Sequence, residues 1–75
     1  MSSKPYVILR IKDLCEKLKL SKPTIYNLMN KNSKYFDEAF PKPIKLTANS
    51  VAWIEEHVDA WIERKMQSNE EVIGV

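Results

Sequence analysis

Seventy-five residues suffice for one small domain, near the lower limit at which an apolar core holds a fold unaided, and the single cysteine, Cys15, excludes an internal disulfide framework. No apolar run approaches the ~18 to 20 residues of a membrane span, and the one glycine, Gly74, excludes a Gly-rich phosphate loop, so a soluble cytoplasmic protein is expected. The net charge of +2 conceals a polarised chain: residues 1–45 carry ten Lys/Arg against four acids, net +6, and residues 46–75 carry two against six, net −4. A basic half of this kind suits an anionic partner such as nucleic acid or an acidic membrane surface.

In chain order, YVIL at 6–9 has the β-branched and aromatic content of a short strand, which Pro5 confines to a sheet edge or a strand start. Ile11, Leu14, Cys15 and Leu18 then recur at i, i+3, i+4 and i+7, the stripe of a first helix over about 12–18. Only Lys19 and Leu20 are left for a turn before Ser21, whose hydroxyl can cap a second helix, with Pro23 tolerated in its first turn. Leu20 and Ile25 have the spacing of a hydrophobic staple, and Ile25, Leu28 and Met29 form the buried stripe. Two short helices joined so tightly make a helix-turn-helix, here without the usual turn glycine.

Residues 30–43, NKNSKYFDEAFPKP, show no period and read as a long loop with a possible turn around DEAF. PIKL at 43–46 and SVAW at 50–53 alternate about the polar turn TAN, which predicts a β-hairpin with Ile44, Leu46, Val51 and Trp53 on one apolar face and Lys45 outward. Ile54, Val58, Trp61, Ile62 and Met66 share one side of a third helix over about 55–66, with acids in its first turns where they suit the helix dipole. The expected organisation is one domain over 1–67 followed by a mobile tail, 68–75.

On the second helix Thr24, Asn27 and Lys31 share the side opposite Ile25 and Leu28, flanked by Lys22 and Tyr26. Short hydrogen-bonding side chains framed by cations can read base edges in a major groove while Ser21 and the lysines hold phosphates. Together with the lysine-bearing hairpin, this favours nucleic-acid binding over a merely solvated helix face. Other residues read more plainly. Trp53 and Trp61 sit among Val51, Ile54, Val58 and Ile62 and fit a core better than base-stacking platforms, and Cys15 is a core residue. His57 has no companions for a metal site, and no catalytic constellation stands out, so neither an enzyme nor a cofactor is expected. Tyr35, Phe36 and Phe40 either cover the end of the core or form an apolar patch for a partner.

The succession LRIKDLCEKLKLSKPTIYNLM, then FPKPIKL, then VAWIEEHVDAWIE resembles the AlpA family of small prophage regulatory proteins, within the wider excisionase and MerR-like winged-helix group, over about 9–64. The resemblance implies a mainly α winged helix-turn-helix with a small β-hairpin wing, binding specific double-stranded DNA in bacterial cytoplasm, on the nucleoid when bound, as a transcriptional regulator. Ser21, Lys22, Thr24, Tyr26, Asn27 and Lys31 would meet the major groove and its phosphates, and Lys42, Lys45, Thr47 and Asn49 would make the wing contact. The long glycine-free connection over residues 30–39 departs from the family pattern, as do Pro23 and Asn27. Two alternatives stay open. One is an excisionase-type directionality factor that bends DNA beside an integrase or a second copy of itself. The other is a protein-interaction adaptor using the acidic third helix and the aromatic loop.

Overall fold

The computed structural model describes the backbone of residues 5–72 and the side chains of 5–68. Its elements follow the expected order: β1 (Ile8–Leu9), α1 (Ile11–Leu18), α2 (Lys22–Met29), β2 (Ile44–Thr47), β3 (Ser50–Ile54) and α3 (Glu55–Val72). The strands form one antiparallel sheet in the order β1-β3-β2, with Leu9 opposite Trp53 and Ile8 opposite Ile54. β1 therefore sits at an edge, one of the two places expected of it, with Pro5 outside the strand. Its pairing with the hairpin, which turns two strands into a three-stranded sheet, is a long-range contact that local pattern does not carry.

Each element except β2 sends a side chain into one core: Leu9 from β1, Leu14 from α1, Ile25 from α2, Trp53 from β3 and Val58 from α3, joined by Phe40 from the loop. Ile11, Cys15, Leu18, Leu20, Leu28, Met29, Trp61 and Ile62 are partly buried against it, so the apolar stripes read from the helices are the packed ones. Leu20 and Ile25 both belong to this cluster, in keeping with a staple at the entry to α2. Trp53 is a core residue, and Trp61 is partly buried against the core. Met66 is not a core residue: it is 55% exposed, because α3 continues past the last core layer. The helix also runs through Val72, six residues beyond the expected end, so residues 68–72 of the supposed tail are helical, while Ile73–Val75 lie outside the described residues.

The turn between α1 and α2 is closed without glycine. Lys19 takes the left-handed conformation, φ 59° and ψ 37°, and Leu20 N–H donates to Cys15 O at 3.1 Å. A residue with a Cβ is less favourable there than glycine by about 1 kcal/mol.

The hairpin differs from its expected form. Ile44 lies opposite Ala52 and Lys45 opposite Val51, and the register then shifts so that Thr47 meets Ser50, leaving Leu46 as the extra residue of a bulge. Directly paired residues share a face, so Lys45 stands on the face of Val51, not opposite it. The extra residue breaks the strict alternation on which a single apolar face depends. All four residues of β2 are exposed, Ile44 at 38% and Leu46 at 46%, because no helix covers this outer strand.

Candidate nucleic-acid interface

The interface begins at the entry to α2. Ser21 is extended (φ −76°, ψ 160°), and its Oγ accepts from Thr24 N–H at 3.4 Å and lies 2.8 Å from Thr24 Oγ1. The cap expected at Ser21 is thus present, and it ties together two residues expected to face DNA. The same bond engages the Ser21 hydroxyl inside the helix, and Pro23 has no N–H to offer, so the helix start presents few donors to a phosphate. Lys22, Thr24 and Tyr26 are exposed and Asn27 is half-buried.

Lys31 is not on this helical face. α2 ends at Met29, and Asn30 leaves it in an extended conformation (φ −93°, ψ 114°), with its N–H donating to Asn27 O at 3.3 Å. The cause is local: Asn30 Oδ1 accepts from Asn32 N–H at 2.9 Å and Asn30 O accepts from Ser33 N–H at 2.9 Å, bonds that compete with another helical turn. Lys31 instead lines an open depression of about 720 Å³ together with Lys42, Asp37 and Glu38 and with the apolar Met29, Phe36 and Phe40. Lysines assigned from sequence to the helix and to the wing are brought to one opening. Lys45, Thr47 and Asn49 are exposed on the hairpin, where Thr47 Oγ1 accepts from Asn49 N–H at 3.3 Å and tightens the turn.

Two other lysines are spent on the fold. Lys17 Nζ bridges from α1 to Asp59 at 3.0 Å and Glu55 at 3.1 Å on α3, and these two carboxylates, Asp59 first, raise its pKa. Lys65 Nζ lies 2.7 Å from Asp37 Oδ2, which also accepts the Trp61 indole N–H at 3.1 Å, while Asp37 Oδ1 accepts Ala39 N–H at 2.9 Å. Lys65 above all, then the Ala39 and Trp61 donors, hold the Asp37 carboxyl below the usual range, with partial burial opposing them. Among the described residues Lys22, Lys31, Lys34, Lys42 and Lys45 make no ion pair. Lys17 and Lys65 thus hold elements of the fold together, whereas the lysines of α2, the loop and the wing are exposed.

Sequence reading missed Asp37. A signal existed, since aspartate two residues before a loop N–H is the pattern of an Asx turn, but its long-range partners Trp61 and Lys65 are not legible locally. The aromatic trio divides: Phe40 is buried and meets Trp61 edge-on at 4.9 Å between centroids, whereas Tyr35 and Phe36 are exposed. No helix among the described residues is long and apolar enough to cross a membrane.

Residues 7–66 match the family model described as "Prophage CP4-57 regulatory protein (AlpA)". The chain is also 36% identical over 58 residues, 77% of its length and 83% of the relative's, to the "DNA-binding transcriptional activator AlpA" of Escherichia coli (strain K12). No solved structure matches.

Proposed function

The chain belongs to the AlpA family of prophage regulatory proteins, and from that membership we propose that it binds a specific double-stranded DNA site in the cytoplasm and regulates transcription there. The observation that carries the reading is the run of lysines without an ion pair among the described residues, Lys22 on α2, Lys31 and Lys34 on the following loop, and Lys42 and Lys45 at the wing, beside the equally unpaired Lys12 and Lys19, while Glu55 and Asp59 of α3 are turned to Lys17. α2 enters the major groove. Thr24 and Asn27 meet base edges, Lys22 and Tyr26 border them, and Ser21 sets the helix start. Lys31, Lys42 and Lys45, with Thr47 and Asn49, contact the backbone.

Asn27 and Lys45 separate the two kinds of contact. The Asn27 amide donates and accepts at once, which suits adenine N6 and N7, whereas Lys45 offers only charge. Selection of bound sequences from random duplexes supplies the site. On that site Asn27→Ala is expected to cost about 1 to 3 kcal/mol, with little effect on random DNA, while Lys45→Ala weakens both alike and makes the salt slope shallower by about one. Full specificity in Asn27→Ala would remove α2 as the reader, and a parent protein whose duplex binding ignored salt would remove the reading itself.

A further inference from the structure

The segment between α2 and Asp37 has no regular element, yet its backbone is bonded at nearly every step. Asn32 N–H donates to Asn30 Oδ1 and Ser33 N–H to Asn30 O, both at 2.9 Å. Tyr35 N–H donates to Ser33 Oγ at 3.0 Å, Phe36 N–H to Ser33 O at 3.1 Å, and Asp37 N–H reaches back to Leu28 O at 2.9 Å in the last turn of α2. Asp37 then fastens the far end to α3 through Trp61 and Lys65. The result is a pair of successive turns held at both ends. Residues 30–36 hold Lys31 and Lys34 and no acid; of the two acids that follow, Asp37 is committed to Lys65, and Glu38 is exposed at the opening that Lys31 and Lys42 line.

At the outer end of these turns Tyr35 is 60% exposed, with Lys34 Nζ 5.4 Å from its ring centroid. The ammonium lies over the ring that carries the phenol hydroxyl, and both are groups that bond phosphate oxygens. Lys31, at the inner end, borders the same opening as Lys42 of the wing, which sets the turns between the reading helix and the hairpin. We propose that these turns are a third DNA-contacting element, in which Lys34 and the Tyr35 hydroxyl hold backbone phosphates beside the groove that α2 enters. The inference rests on duplex binding as proposed above, and it assigns the long glycine-free connection a role of its own.

Backbone contacts do not depend on sequence, so a random-sequence 30-base-pair duplex serves as the probe, titrated by fluorescence anisotropy at several salt concentrations with the full chain. Each lost phosphate contact should lower affinity about threefold at moderate salt and make the plot of log K against log salt shallower by about one for a lysine. Lys34→Ala is expected to show both effects. Tyr35→Phe is expected to weaken binding about threefold with the slope unchanged, because a neutral hydroxyl releases no counterion. Lys45→Ala on the wing runs beside them, and thermal melts confirm that each variant is folded. If Lys34→Ala and Tyr35→Phe both bind as the parent does while Lys45→Ala weakens, the third element is overturned and duplex binding stands. If the parent shows no salt-dependent binding, both fall together.

Discussion

The loop after α2 and the wing strand β2 after that loop both bear lysines, and the one without secondary structure is the better anchored. Over residues 30–43 the loop buries Phe40 in the core, lays it against Trp61, and bonds Asp37 to α3. The wing strand β2, paired with β3 through a bulged ladder, contributes nothing to the core, and all four of its residues are exposed. A ladder fixes a strand to its neighbour, whereas attachment to the domain comes from buried side chains and from hydrogen bonds to other elements. Cations on the loop are therefore held in place relative to α2 and α3, and those on β2 are placed only through β3.

The strongest way to break this comparison is at Phe40. Phe40→Ala removes a buried ring and the edge-to-face contact with Trp61, and should destabilise by about 3 to 5 kcal/mol. Against a total stability on the order of 5 to 15 kcal/mol for a small domain, that is a large fraction. Ile44→Ala on the wing, a smaller loss at a 38% exposed position, should cost under about 1 kcal/mol in the same urea titration. Equal midpoints for the two variants would end the distinction.

Asp37 sharpens it at intermediate size. Lys65 is half exposed, so the ion pair is screened, but Asp37 also receives the Trp61 and Ala39 N–H groups. Asp37→Asn is expected to cost about 1 to 2 kcal/mol at neutral pH. Because the folded carboxyl titrates below its usual value near 3.8, its contribution is complete above that value and is lost as pH falls through the lower folded one. Stability of the parent should therefore decline below about pH 4 more steeply than that of Asp37→Asn. Parallel acid limbs for the two proteins would show that Asp37 is not the latch.

The same contrast explains what the sequence disclosed. Helices were legible because Leu14, Ile25 and Val58 each lie on a stripe of period near 3.6, and the cap at Ser21 is a local bond between residues three apart. The lysines of α2 and the wing were legible as a basic group. Three features were not. Lys31 left the helix through competition from Asn30, Asn32 and Ser33, side chains and turns whose bonds no periodicity encodes. Leu46 fell on a bulge, and one inserted residue reverses the alternation beyond it. Asp37 found partners 24 and 28 positions away, Trp61 and Lys65, so its role appears only once α3 is folded against the loop.

The smallest effect concerns Leu46. From alternation alone it belongs to an inward row with Ile44, and its loss would then resemble a core truncation of about 2 to 5 kcal/mol. In the fold it is the unpaired residue of the bulge and is 46% exposed. Leu46→Thr keeps a β-branched residue suited to an exposed strand and removes apolar area that is already half in water, so the stability change should stay within about 0.5 kcal/mol. Thermal and urea melts of Leu46→Thr beside the parent measure it directly. A loss above about 2 kcal/mol would mean that the wing lies against the body of the domain through an apolar face. In that case β2 would be anchored as firmly as the loop, and the two would no longer differ in kind.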